Sequence, residues 1–447
     1  MQPFFYLNMT IPDFYAKYFQ PGIISTDTRK ISKGSVFIAL KGEKFNGNDF
    51  AIQALQSGAS VAVIEEKIEG IEKFDDQIIV VKNTLDFLQE LARYHRIKNK
   101  FNIIGLTGSN GKTTTKELIH FVLAEKYKVQ STTGNLNNHI GVPLSLLSID
   151  YDNAYSIIEM GANHPGEIKA LCEIAEPDSG LITNIGRAHL EGFGGFEGVV
   201  KTKSELYDFI ISHNGKIFCN GADTSLLNIV GNYRNCTFYN TPEGITGKII
   251  ASAPTLTVEL KNKNNHSVIV NTHLYGDYNL TNILAAACIG IEYGITLEEI
   301  KAGIEKYYPT NFRSQLLQIG SSTIIIDCYN ANPTSMEQAL QNAANFKADR
   351  KIIILGGMKE LGSYSNEEHK KLFELAENFV FDEVILFGEE FKNIIPGKGI
   401  STVHFDELVN YLYSIELHNS FILVKGSRAN RLERLESIIA DYFSSKS

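Results

Sequence analysis

No window of the 447-residue chain approaches eighteen uninterrupted apolar positions, so the sequence offers no helix able to cross a membrane. The start, Met1-Gln2-Pro3-Phe4-Phe5-Tyr6, lacks a basic segment followed by an apolar stretch, which argues against an export signal and for a cytoplasmic protein without membrane insertion. No run of lysine or arginine stands out against a formal net charge of −9, so the footprint of a nucleic-acid binder is missing. The cysteines, Cys172, Cys219, Cys236, Cys288 and Cys328, are odd in number, scattered and without C-x-x-C spacing. That pattern argues against a zinc site, suits a reducing compartment, and leaves all five to be read as packing residues. Low-complexity linkers and internal repeats are also lacking.

What the chain does have is a phosphate cradle. Ile103-Ile104-Gly105-Leu106 reads as a buried parallel strand, and it runs into Thr107-Gly108-Ser109-Asn110-Gly111-Lys112-Thr113-Thr114. A helical stripe of Leu118, Ile119, Val122 and Leu123 follows. Backbone N–H groups of such a turn and the positive end of the helix attract phosphate oxygens. Lys112, on an exposed loop, is placed for the outer phosphates and Thr113 for Mg²⁺, so a nucleoside triphosphate is the natural ligand. The strict G-x-x-x-x-G-K-[ST] spacing would need glycine where Leu106 stands, so the match is to a shorter variant.

Three α/β blocks are predicted, over 1–100, 101–309 and 310–447. In the first, 36–40, 61–64 and 78–81 read as strands, and Leu85, Leu88, Leu91 and Ala92 mark a helix face. The second holds the cradle and strands at 156–160 and 181–184. The third alternates strands at 323–327, 351–356, 383–387 and 421–425 with helices starting near Ser335, Glu367 and Arg431. That rhythm predicts a Rossmann-like parallel sheet.

Glu159 and His189 each follow an apolar strand, at the sheet end where α/β proteins bind ligands. A buried carboxylate there calls for a cation, and Mg²⁺ is the one the cradle implies. Glu159 alone reads equally well as a cap or ion-pair partner, and His189 as a hydrogen-bonded core histidine. Lys201 and Lys203 read from spacing as a solvated basic helix face. Asn279 and Asn282 share a helix face and suit either a purine edge or capping. Asp327 to Pro333 is either a nucleotide contact or ordinary turn chemistry.

Taken together, these residues resemble the Mur ligases, ATP-dependent amide-forming enzymes of peptidoglycan synthesis, and specifically their dipeptide-adding branch. The matching strings are Ser25 to Arg29 with Gly34 and Phe37 to Gly42; Thr107 to Thr114; Gly134 to Pro143; Glu159 to Asn163; Ile182 to Gly186 with Ala188 to Glu191; Tyr329 to Pro333; and Lys425 to Arg428. The resemblance implies a three-domain α/β protein: a small N-terminal domain for the UDP end of the substrate, a central P-loop ATPase-type domain with a parallel sheet, and a C-terminal Rossmann-like domain. It implies that Gly108, Ser109, Asn110, Gly111, Lys112, Thr113 and Thr114 bind ATP, with Asn279 and Asn282 on the adenine side. Arg313, Asp327, Asn330 and Asn332 would be brought in by the third domain. Thr113, Glu159, His189 and a carbamylated Lys203 would place Mg²⁺, which reverses the reading of Lys203 as a surface residue. Thr28, Lys44 and Phe45 would hold the UDP end, and Asn135, Asn137 and Asn138 would face the sugar-peptide. Gly357 stands where the branch commonly has aspartate.

The activity implied is addition of D-alanyl-D-alanine to UDP-N-acetylmuramoyl-tripeptide through an acyl phosphate, by a monomer. The rival readings are a sister ligase adding one amino acid, a folylpolyglutamate synthase-like ligase, and a non-enzymatic nucleotide switch. The last leaves Glu159, His189 and Lys203 unexplained.

Overall fold

The computed structural model describes residues 9–66, 68–310 and 312–446, so the Met1–Tyr6 stretch lies outside the described residues. The first sheet is parallel, with strands Ile24–Ser25, Val36–Ile38, Val61–Ile64 and Ile78–Val80 side by side. Strand alternation sends Val36, Ile38, Val61 and Val63 into the core shared with helices Ile11–Tyr18 and Thr84–Asn99. Phe37, Ala62 and Ile64 pack instead with helix Ala51–Gln56.

The second sheet has six parallel strands in the order Cys236–Tyr239, Lys216–Asn220, Ser179–Ile182, Ile103–Thr107, Tyr155–Glu159 and Val129–Ser131. Chain order diverges on the two sides of Ile103–Thr107, and a crevice at the carboxyl ends is the consequence. Helix Lys112–Ala124 starts there and buries Leu118, Ile119, Val122 and Leu123 in one cluster with Ile283, Leu284 and Ala287 of helix Asn279–Glu292. The expected strand 181–184 stops at Ile182, and Thr183 and Asn184 turn out of the ladder towards the phosphate loop. An antiparallel sheet of Thr246–Ala251, Thr257–Lys261 and Ser267–Asn271 was not anticipated.

The third sheet runs Gln315–Ile319, Ser322–Asp327, Ser420–Lys425, Arg350–Gly356, Glu383–Phe387 and Ser401–Thr402. Its parallel centre matches the predicted rhythm, while Gln315–Ile319 adds an antiparallel edge. The final helix begins at Leu435 and not at Arg431, because Arg431 sits at φ +51° and separates two short 3₁₀ turns. All five cysteines are free; four are buried and Cys236 is half-buried. Among the described residues no helix is long and apolar enough to cross a membrane.

Candidate functional site

The carboxyl ends of the second and third sheets line one cavity of about 860 Å³. The phosphate loop forms its floor. Gly108 and Gly111 take φ of +146° and +77°, which favour glycine, and a Cβ on Gly111 would lie 2.6 Å from Asn282 Oδ1. The residues that left the neighbouring strand hold the loop: Thr183 Oγ1 and Asn184 Nδ2 donate to Asn110 O (2.6 and 3.0 Å), and Asn110 N–H donates to Asn184 Oδ1 (3.1 Å). Ser109 Oγ donates to Gly186 O (3.1 Å).

Lys112 is half-buried, contrary to the exposed position expected of it. Its ammonium donates to Gly108 O (2.7 Å), curling over its own loop because those carbonyls have no ladder partner. Burial pushes its pKa down, with nearby Arg313 adding to the effect and Glu159 opposing it. Glu159 is 1% exposed at the end of its strand. Thr113 Oγ1 donates to Glu159 Oε2 (2.9 Å) and Asn137 Nδ2 to Glu159 Oε1 (2.8 Å). This hydroxyl–carboxylate pair is a hard oxygen set that suits Mg²⁺, which takes few protein ligands and keeps water and phosphate for the rest.

The other two expected metal ligands are placed differently. His189, at φ +51°, pairs through Nδ1 with Glu360 of the third domain. Lys203 is 1% exposed, with Nζ 5.5 Å from the centroid of the Phe193 ring. The solvated face read from spacing is therefore wrong, and desolvation with Lys112 nearby brings its pKa down to about 7. Among the described residues, no three His, Cys, Asp or Glu side chains gather as a metal cluster.

Asn279 and Asn282 line the cavity, but their amides are engaged with protein. Asn279 Nδ2 donates to Tyr275 O (2.8 Å), Asn282 Nδ2 to Asn279 Oδ1 (2.8 Å), and Thr115 Oγ1 to Asn282 Oδ1 (3.1 Å). From the third domain, Arg313 stacks 3.6 Å from the Tyr329 ring centroid, and Asp327 accepts from Lys425 Nζ (2.6 Å). Asn330 also lines the cavity. Asn332 does two jobs: Oδ1 caps helix Pro333–Asn345, and Nδ2 donates to Asn110 Oδ1 (2.8 Å) on the phosphate loop.

Asn135, Asn137 and Asn138 line the cavity too, with Asn138 Oδ1 accepting from Gly141 N–H (2.9 Å) at the start of helix Gly141–Leu147. Thr28, Lys44 and Phe45 do not line it. Thr28 opens a short 3₁₀ turn, and Phe45 is 59% exposed in a loop closed by Gly42 N–H to Phe45 O (2.9 Å). Sequence reasoning missed Glu360 and Arg187, both of which touch partners more than a hundred residues away. The lone signal was position: Arg187 fills the gap between two matched strings, and Glu360 lies three residues after Gly357. At Gly357 a side chain is blocked: a Cβ would lie 2.7 Å from Glu390 Cδ, and the Glu390 carboxylate, paired with Lys359, fills that space.

Three family models match in succession: the Mur ligase family catalytic domain over 22–96, the Mur ligase middle domain over 106–290, and the Mur ligase glutamate ligase domain over 312–428. The chain is 33% identical over 433 residues to the UDP-N-acetylmuramoyl-tripeptide–D-alanyl-D-alanine ligase of Escherichia coli K12, covering 92% of each. It is 32% identical over 423 residues to the ligase of that name from Bacillus subtilis 168, again covering 92% of each. The crystal structure of MurF ligase from Thermotoga maritima in complex with ADP superposes with a TM-score of 0.84 at 30% identity, over 95% of this chain and 98% of that one. MurF from Acinetobacter baumannii gives 0.83 at 30% identity, over 94% and 93%. With matching domains in matching order along nearly its whole length, the chain belongs to the Mur ligase family.

Proposed function

We propose that this protein joins D-alanyl-D-alanine to UDP-N-acetylmuramoyl-tripeptide at the expense of ATP, in the cytoplasm, as a step of peptidoglycan precursor synthesis. The observation that carries the reading is one cavity in which a phosphate loop, the Thr113–Glu159 oxygen pair and the third-domain groups Arg313, Asp327, Asn330 and Asn332 converge. The full-length likeness to ligases of that name supports it. We assign 1–100 to the UDP end of the substrate, 101–309 to ATP and 310–447 to the closing domain.

A carboxylate is a poor electrophile, so the tripeptide carboxylate first takes the γ-phosphoryl group of ATP, giving an acyl phosphate and ADP. The dipeptide amine then forms the amide and phosphate leaves. Both partners of the first step are anionic. Lys112 and the N–H groups of Gly111 to Thr113, at the start of helix Lys112–Ala124, offset that repulsion by positive charge aimed at the transferred group. Mg²⁺, held by Thr113 and Glu159, would supply further charge neutralisation there. Asn332, joined to Asn110, brings the third domain over the loop and keeps water from the acyl phosphate. Phosphate release measured against a panel of UDP-muramoyl peptides, with and without D-alanyl-D-alanine, tests this. Equal release without the dipeptide, or preference for a single amino acid, overturns it.

Lys203 fits a carbamate. With burial bringing its pKa down to about 7, far more of it is neutral near pH 7.4 than the roughly 0.1% of an ordinary lysine, and only the neutral amine captures CO₂. A carbamate resonance from ¹³C-bicarbonate that disappears in Lys203→Met is expected; an unchanged spectrum in that variant refutes it.

A further inference from the structure

Between Gly186, which exchanges hydrogen bonds with Ser109 of the phosphate loop, and His189 lies Arg187, which points away from the cavity. Its backbone N–H donates to Thr334 Oγ1 (2.9 Å). Its guanidinium spans two third-domain helices: Nη2 bonds Glu337 on Pro333–Asn345, and Nη1 lies 3.1 Å from Glu368 on Ser365–Glu377. The Glu368 side chain is 6% exposed, and its other cation, Lys371, is 3.6 Å away and half exposed. The two domains approach closely here, since a Cβ on Gly186 would lie 3.0 Å from Thr334 Oγ1.

We infer that Arg187 is the clasp that holds the third domain shut over the phosphate loop while the acyl phosphate exists. Three features support this. A planar fork fixes the direction of both its carboxylate partners, where an ammonium on a flexible stem does not. Glu368, 6% exposed here, has Arg187 as its nearer cation, so parting the domains breaks a charge-assisted pair. And the clasp is one residue from Gly186, whose two hydrogen bonds with Ser109 tie it to the phosphate loop. Arg187 touches no substrate and is a positioning residue.

The inference rests on the ligase reading, and the test separates the two. The ratio of phosphate released to amide formed is measured with ATP, the UDP-tripeptide and D-alanyl-D-alanine. A wild-type protein that makes no amide refutes the ligase reading itself. If the clasp guards the acyl phosphate, Arg187→Ala should raise the ratio several-fold, because an opened domain lets water in, with nucleotide affinity unchanged. Arg187→Lys should fall between, and Arg187→Glu paired with Glu337→Lys should recover part of the coupling. A wild-type ratio in Arg187→Ala, or phosphate and amide falling in step, overturns the inference. Should Arg187→Ala fail to fold, Glu337→Gln carries the same expectation in milder form and decides it.

Discussion

Replacing Gly111 by alanine tests how tightly the phosphate loop is held. Two costs can be read from the structure. A φ of +77° costs an L-residue about 1–2 kcal/mol. The new Cβ, 2.6 Å from Asn282 Oδ1, also displaces a buried amide that accepts from Thr115 and donates to Asn279, a loss of about 1–3 kcal/mol. The sum is about 2–5 kcal/mol. The loop can relax without unfolding the domain, so the penalty should appear as a smaller fraction of molecules with a competent loop. At about 3 kcal/mol that fraction, and with it nucleotide affinity, falls by about 150-fold. Gly134 is the control: its φ is +60° but nothing lies within 4 Å of a Cβ, so Gly134→Ala bears the backbone cost alone. Calorimetric titration with ADP, alongside thermal melting, makes the comparison. Adding Asn282→Ala to Gly111→Ala should recover part of the loss. An affinity within a few-fold of the parent, or a loss no greater than that of Gly134→Ala, would refute the reasoning.

Three further outcomes are expected. His95 is fully buried, with Nε2–H donating to Ile149 O and Nδ1 bonded to the Tyr15 hydroxyl, and burial lowers its pKa to about 4. Because the unfolded chain then takes up the proton first, stability is full above pH 6.5 and declines towards pH 4 by about 3 kcal/mol, a slope that denaturant titrations should find flattened in His95→Gln. Lys425→Met leaves Asp327 without its buried cation and should cost about 3–5 kcal/mol, much of it recovered in Lys425→Met with Asp327→Asn, as measured by chemical unfolding. Glu159→Gln keeps shape but gives up charge beside Thr113, so the Mg²⁺ concentration for half-maximal ligation should rise by at least about tenfold; an unchanged requirement would remove Glu159 from the metal site.

Local pattern made much of this legible. The strand–turn–helix from Ile103 to Ala124 announces itself through an apolar run, two glycines and a 3.6-residue stripe, all within neighbours in sequence. The third domain's alternation is legible for the same reason. The antiparallel sheet of 246–271 escaped because only its middle strand, Thr257–Lys261, alternates cleanly, while Thr246–Ala251 and Ser267–Asn271 are largely exposed and carry mixed residues. Lys203 shows the limit of helical spacing: its neighbour Lys201 is exposed, and only the packing of Phe193 against the helix decides which of the two is buried. His189 reads as the end of a strand, yet that strand stops at Ile182 and His189 precedes the short helix Leu190–Phe193, with its partner Glu360 arriving from another domain. Asn279 and Asn282 were legible as a pair and not as a relay, because their third member, Thr115, is on the phosphate-loop helix.

The packing of Glu390 over Gly357 makes the two positions depend on each other. With the Glu390 carboxylate lodged over Gly357 and tied to Lys359, any side chain introduced at 357 collides with it, and an aspartate adds like-charge repulsion. Losing Glu390 alone strands Lys359 beside an empty glycine. The two positions are therefore coupled: an aspartate at 357 is better accommodated beside a smaller or neutral residue at 390 than beside the glutamate.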